Sequence, residues 1–360
     1  MEHEQIHRIV AAATTAPSGD NCQPWTFIWN KGALEMWHEN ARARHSINRE
    51  NHASLLSLGC ALELIRIAAS HERREALVEL GSFDVAGASP WAVVRFRGSA
   101  VAPDPLAPFI GKRVTDRRIY RGGSLSHCAF ETILETAGKS ATAHVHVTDT
   151  YPPEFVDYLL QCEEFIWDHP PALSDFLAWI RMNSKEIESS RDGLPWNNLG
   201  VNFAEARILT LLRHLPASLK FLKMIGFKHQ IRALARKQLK SNAGLICFSV
   251  TGTEPAMLVE AGSLALRTWL ILTQSNFGVQ PLTIASLSAF DFETGALPIS
   301  TPSEYVDLFS EGRELFKQTF SLPANARPVW AMRVGMSPHF PKEHRTLRKP
   351  VSECLQIVHA

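Results

Sequence analysis

The sequence predicts an α+β fold in two halves of related plan, and three observations lead there. Segments of helical and of strand periodicity alternate along the 360 residues. A long helix, apolar nearly all round and carrying a glycine, occurs once in each half. A strand with Trp-Ala near its start follows later in each case, at Trp91-Ala92 and at Trp330-Ala331.

Residues 2–16 have Ile6, Ile9 and Val10 on one side and read as a short helix, stopped by Pro17-Ser18-Gly19-Asp20-Asn21. Trp25–Trp29 is a strand, Asn30-Lys31-Gly32 a turn, and Ala33–His38 a second strand. From His52 to His71 the chain reads as a buried helix containing Gly59. Glycine inside a helix costs about 1 kcal/mol relative to alanine, so close packing of another backbone is the expected reason for it. Trp91–Phe96 is a strand, and the joint Ala102-Pro103-Asp104-Pro105 divides the chain into residues 1–102 and 103–360. In the second half, Ser126–Thr136 reads as a helix and Ala143–Thr148 as a strand. Glu260–Phe277 is a buried helix with Gly262, and Val329–Val334 is a strand. A segment at about 151–240 has no counterpart in the first half. Its basic, helical part from Phe203 to Lys240 is read either as surface helices packed on the core or as a lid over a ligand site.

Lys and Arg number 37 against 36 Asp and Glu, so charge gives no general reason to expect a nucleic-acid partner. No apolar leader follows the polar start, and the apolar runs are interrupted by Arg or Lys. A cytoplasmic protein without stable membrane association is expected. Six scattered cysteines show no metal-ligand spacing, so no metal site is expected.

Four stretches could carry chemistry. Pro17–Trp25 is a turn able to press its main chain against a planar ligand, or simply a helix stop. Arg113, Thr115 and Arg117 alternate, as groups converging on an anion would, or as a solvated basic loop would. Gly278-Val279-Gln280-Pro281-Leu282 reads as an open turn ending the second buried helix. Arg345 and Arg348 belong to a basic C-terminal run that composition alone would leave in solvent.

In this order the four stretches resemble the flavin-dependent nitroreductase family, and within it the tandem, single-chain branch typified by the FMN-binding Acg-type proteins of actinobacteria. Pro17-Ser18-Gly19-Asp20-Asn21-Cys22-Gln23-Pro24-Trp25 is similar to that family's Pro-Ser-x-x-Asn-x-Gln-Pro-Trp signature. Arg113-x-Thr115-x-Arg117 resembles its Arg-x-Ser-x-Arg/Lys element. The resemblance implies two nitroreductase-like halves forming a pseudo-dimer, with antiparallel-rich sheets flanked by helices and 151–240 as a helical cap. Ordinary members build each site from the Arg element of one subunit and the Pro-Ser-Asn turn of the other. Here the first half holds only the turn and the second only the Arg element, since Thr136-Ala137-Gly138-Lys139-Ser140 lacks the signature. A fused dimer with one complete site, hence one FMN per chain, is the implication.

Carried over, Arg113 and Thr115 would hold the phosphate, with Arg345 and Arg348 adding to it. Arg117 would lie near the flavin N1 and C2 carbonyl. Pro17, Ser18, Gly19 and Asn21 would reach the ribityl chain and ring edge, and Gln280, Pro281 and Leu282 would line the flavin. No side chain need act as a catalytic group, because the cofactor carries the chemistry. The implied activity is FMN-dependent hydride transfer from NAD(P)H to a small-molecule electron acceptor such as a nitroaromatic or quinone. The alternatives are an FMN-sequestering protein with a closed lid and a dedicated flavin dehydrogenase or oxidase. A monomer or a further homodimer is compatible with either.

Overall fold

A computed structural model describes the chain except residues 85, 99–101, 124, 126–129, 134, 136–139, 225, 338 and 359–360. Of the expected helix Ser126–Thr136, residues 130–133 and 135 are described and are helical; the rest of it, and most of the stretch Thr136–Ser140, lie outside the described residues.

The first sheet begins with the hairpin β1 (Trp25–Asn30) and β2 (Ala33–His38), which alternates buried and half-buried side chains as its sequence demands. The turn between them places Lys31 and Gly32 at positive φ. The helix His52–His71 follows, and then β3 (Arg74–Leu80) and β4 (Ala92–Gly98), with β4 inserted between β2 and β3. All these pairings are antiparallel.

The second sheet repeats this plan. Strand β5 (Ala143–Thr148) precedes the cap, which carries a two-residue ladder of β6 (Ile180–Arg181) and β7 (Leu194–Pro195). Then come β8 (Gly244–Val250), the helix Pro255–Gln274, β9 (Phe277–Pro281) and β10 (Arg327–Met336). The order β1-β2-β4-β3 recurs as β5-β8-β10-β9, again antiparallel throughout. The cap occupies the place of the tight β1–β2 turn. Strand β11 (Leu355–Ile357), from the C-terminus, closes the first sheet by pairing parallel to β1. The first sheet is therefore completed by residues far beyond the joint at 102–105.

The two long helices pack on each other between the sheets. A Cβ on Gly59 would sit 1.9 Å from the Val259 carbonyl oxygen, and one on Gly262 would sit 2.0 Å from that of Leu56. The glycines thus face each other's helices reciprocally, which is the packing reason the sequence suggested. Ser263 Oγ donates to the Gly59 carbonyl (3.0 Å) across the contact. Both helices are long and apolar enough to cross a membrane, yet 83% and 67% of those apolar windows are buried inside this core.

Two readings need correction. The second core helix runs Pro255–Gln274 rather than Glu260–Phe277, and Phe277–Pro281 is not an open turn but β9, paired with β10. Val279, buried between Phe277 and Pro281 on that strand, has the environment of a sheet residue. The Phe203–Lys240 stretch is three helices, Phe203–His214, Ser218–Met224 and Phe227–Lys240, parted near Pro216 and at Gly226, whose φ is +89°. Further cap helices, Pro153–Asp168 and Pro170–Trp179, and the helices Thr283–Thr294 and Ser303–Phe320, had no sequence reading.

Candidate functional site

The helix His3–Ala13 delivers the chain into a tightly wound turn. Asp20, Asn21 and Gln23 all take positive φ (46°, 57° and 50°). Non-glycine residues hold this conformation only where surrounding bonds fix it, and those bonds are visible. Ser18 Oγ accepts from the Gln23 N–H (3.0 Å). Gln23 donates to the Arg191 carbonyl (2.9 Å) and accepts from the Lys349 N–H (2.9 Å). Asn21 Nδ2 donates to the carbonyls of Gly193 and Leu347, both at 3.0 Å. Arg42 ties the Cys22 carbonyl (2.7 Å) to Asp192 of the cap (2.7 Å). The signature turn is therefore riveted to the cap on one side and to the C-terminal tail on the other. Both N–H bonds of the Asn21 amide serve those rivets, so Asn21 borders the site as a structural link while its Oδ1 has no partner.

The Arg113 element lies extended beside β9. Thr115 bridges Val279 in parallel, and the Asp116 N–H donates to the Val279 carbonyl (2.9 Å). Extended backbone sends alternate side chains to opposite sides. Arg113, Thr115 and Arg117 consequently line one cavity, while Asp116 turns away to Arg118 (2.8 Å).

That cavity is a cup of about 160 Å³ bounded by Arg113, Arg345, Arg348, Thr115, Ser18 and Asn198, among others. Arg113 donates to the Thr15 carbonyl (2.7 Å) and stacks 4.5 Å over the Trp269 ring. Arg348 reaches the Thr346 hydroxyl (2.8 Å) and the Leu347 carbonyl (3.0 Å), and its Nε has no partner among the described residues. Arg345 bonds the carbonyls of Gly111 and Lys112. None of the three forms an ion pair with a carboxylate among the described residues. Desolvation brings Arg113 down to about 10, with repulsion from Arg345 adding to it, and Arg348 to about 9, with repulsion from Arg113 and Arg345 adding to it. Such a cluster of guanidinium groups is a site for an anion with several oxygens.

Past Thr115 and Arg117 the cup opens into an apolar chamber of about 230 Å³. Pro281, Ile284, Leu287 and Trp330 form its floor, and Phe165, Ile166 and Phe176 of the cap form its roof. Pro17, Ser18 and Gly19 border it, and a Cβ at Gly19 would meet nothing within 4 Å. Burial holds the Asp20 carboxyl above the usual carboxylate range, against His45 and Arg117. Arg117 stands where cup and chamber join, bonded to Asn198 Oδ1 of the cap (2.5 Å) and lowered from its ordinary range by burial.

The structure thus gathers Pro17, Ser18, Gly19, Asn21, Arg113, Thr115, Arg117, Pro281, Arg345 and Arg348 around one connected space. Gln280 stands one step away, its side-chain Oε1 accepting from Arg333 (2.7 Å). Leu282 lies apart: its side chain packs into the core beside Phe155 and Leu159, and its N–H donates to the Ala331 carbonyl (2.7 Å). The strand register that buries Leu282 was hidden by reading this segment as a turn. The sequence also gave no hint of Asn198, Trp269 or Thr346, which serve the site only through contacts between distant segments.

No family model matches the sequence, and no curated protein matches it. Among solved structures, the chain is similar to a protein assigned as a nitroreductase from Anabaena variabilis, with 11% identity and a TM-score of 0.49 over 93% of this chain and 88% of that one. It is also similar to a nitroreductase with bound FMN from Bacteroides fragilis, at 10% identity and a TM-score of 0.34, covering 66% of this chain and 92% of that one. The FMN-dependent nitroreductase NfnB from Mycobacterium smegmatis, in complex with NADPH, matches at 13% identity and a TM-score of 0.37 over 70% and 96%. Likeness at these identities concerns the fold alone.

Proposed function

We propose that this chain binds one FMN in the split site and acts as an FMN-dependent oxidoreductase. The observation that carries the reading is the cup where Arg113, Arg345 and Arg348 converge without an ion pair among the described residues, opening directly onto an apolar chamber. A flavin mononucleotide has those two ends, a dianionic phosphate and a broad flat ring system. Arg113, Arg345, Arg348 and the Thr115 hydroxyl would hold the phosphate. Pro17, Ser18, Gly19 and Asn21 would border the sugar-alcohol chain, and Pro281 with Gln280 would border the ring. Leu282 is left out of this set.

Bound FMN supplies two-electron redox chemistry, which suits hydride transfer from NAD(P)H and reduction of a small nitroaromatic, quinone or similar acceptor. The protein's own part is position and field. Arg117 puts a cation beside the ring chamber, where charge stabilisation is strongest in a dry, preformed site. The cap roof of Phe165, Ile166 and Phe176 excludes water. The recurring strand order favours a fused dimer that kept one site, with the turn given by one half and the arginines by the other.

A second reading is favoured by one observation: the turn is riveted to the cap through Asn21, Gln23 and Arg42. A cap fixed shut would make the chain an FMN-sequestering protein with little turnover. The purified protein should be yellow, with about one FMN per chain. A colourless protein that FMN cannot reconstitute ends both readings, and two FMN per chain end the split-site argument. Anaerobic NADH or NADPH should bleach the flavin of an oxidoreductase. Bleaching by dithionite alone selects the sequestering protein.

A further inference from the structure

The outer side of the cap carries an apolar face. Helices Phe203–His214 and Ser218–Met224 share an inner side: Leu209 and Leu212 of the first and Leu222 of the second pack with Leu173 and Phe227 in one small core of their own. The opposite side looks into solvent. Phe203, Leu211, Leu215, Phe221 and Met224 are all exposed, Met224 by 83% and Phe203 by 65%. A single exposed apolar residue is ordinary on a protein surface. Five large ones within residues 203–224 are a cluster of the kind that marks an interaction surface.

Charge decides what such a face would meet. Residues 203–240 hold nine Lys and Arg against one acidic residue, Glu205, whereas the remainder of the chain holds 28 against 35. The three helices of this stretch are therefore a cationic block on an otherwise slightly acidic chain. Some of the cations are spent on carboxylates of the cap, as Lys223 and Lys228 are on Asp168 and Arg213 is on Glu186. Arg207 and Lys220, on the two outer helices themselves, are exposed and form no ion pair among the described residues. Arg207 stands over the exposed Phe203 ring, 5.6 Å from its centre. Large apolar side chains interleaved with unpaired cations match one kind of surface, acyl chains beneath anionic headgroups. A nucleic acid would use the cations and leave Leu211, Leu215 and Met224 idle. A second copy placed face to face would set the same cations against themselves.

We propose that the outer face of helices Phe203–His214 and Ser218–Met224 docks reversibly on an anionic lipid surface. The apolar side chains enter the headgroup boundary, and Arg207 and Lys220 meet lipid phosphates. Attachment of this kind lies on the bilayer and needs no spanning helix, so the two long core helices stay buried. It goes beyond the oxidoreductase reading and does not depend on bound FMN.

The test floats the full-length protein with vesicles of phosphatidylcholine alone and of phosphatidylcholine mixed with phosphatidylglycerol, at low and high salt. The protein should rise with the mixed vesicles, stay behind with the neutral ones, and be released by salt. Phe221→Glu combined with Met224→Glu should weaken binding to mixed vesicles by roughly tenfold or more, through lost apolar burial and added repulsion. Lys220→Gln should weaken it about fivefold. Ile299→Ser, at an exposed apolar residue outside this face, should leave it unchanged. FMN content and sedimentation of each preparation are read alongside. No flotation with mixed vesicles, equal flotation with both compositions, or undiminished binding in the double variant and in Lys220→Gln overturns the proposal. A double variant that instead converts a dimer to a monomer assigns the face to a second copy and overturns it as well. A colourless protein that floats keeps this surface and loses the flavin reading. A yellow protein that never floats does the reverse.

Discussion

Replacing Arg113 by methionine should move stability and cofactor binding in opposite directions. Desolvation, with Arg345 adding repulsion, holds the Arg113 guanidinium at about 10, well below its ordinary range. At about 1.36 kcal/mol per pH unit, the fold carries on the order of 3 kcal/mol of uncompensated charge burial there. Methionine removes that penalty and keeps a long apolar stem against Trp269. It also forfeits the bond to the Thr15 carbonyl, worth about 1 kcal/mol, and the cation–ring contact, worth about 1 kcal/mol. The ligand-free variant should therefore gain roughly 1 kcal/mol, a rise of about 1–2 °C in Tm for a chain of this length. With FMN, the loss of one charged phosphate contact, about 1.5–3 kcal/mol, should weaken binding about 10- to 150-fold. Thermal unfolding with and without FMN, together with flavin fluorescence titration, reads both quantities. A variant less stable without ligand and unchanged in FMN affinity would refute the assignment of this cup to an anion, because Arg113 would then be a structural cation.

Three further outcomes follow from the same geometry. Both Arg113 and Arg348 have lowered values, so the charged form is the one the fold disfavours; the penalty is complete below about pH 9, begins to fade as pH rises past about 9 to 10, and is gone only in the ordinary guanidinium range. FMN affinity should accordingly fall above about pH 9 while riboflavin, which lacks the phosphate, keeps its own profile; parallel curves for the two would count against the phosphate site. Gly59→Ala should cost several kcal/mol, on the order of 3 or more, because its Cβ would overlap the Val259 carbonyl and force the core helices apart; a denaturation midpoint at the unaltered value would contradict that approach. Asn21→Ala removes two bonds joining the turn to Gly193 and Leu347, and should speed proteolysis near residues 190–200 and shorten FMN retention; unchanged cleavage would mean the cap is held elsewhere.

Much of the framework was legible locally. Strands β2 and β5 and the helix His52–His71 have the bounds their side-chain periodicity predicts, and β1 runs one residue further, to Asn30, because each buries one face or is buried all round. Gly59 and Gly262 were legible as points of close approach, since helix propensity alone penalises them. The four helices that received no reading, Pro153–Asp168 and Pro170–Trp179 in the cap and Thr283–Thr294 and Ser303–Phe320 beyond β9, were lost among apolar residues that serve two neighbouring surfaces at once.

The sequence by itself determined the two core helices and singled out two short stretches, the Pro17–Trp25 turn and the Arg113 element, that the fold brings to one cavity. Only the tertiary structure decided that Arg345 and Arg348 point inward rather than into solvent. The reason is that the partners of these arginines are the carbonyls of residues 111, 112 and 347 and of Thr15, with the Thr346 hydroxyl, so the tail is fixed by a surface made from distant segments. Tertiary structure likewise made Phe277–Pro281 a strand rather than an open turn, buried Leu282 just beyond it, and opened a chamber that exists only where cap and core meet. Propensity and periodicity are properties of a segment; the uncancelled charge of a cup and the emptiness of a chamber belong to the space between segments.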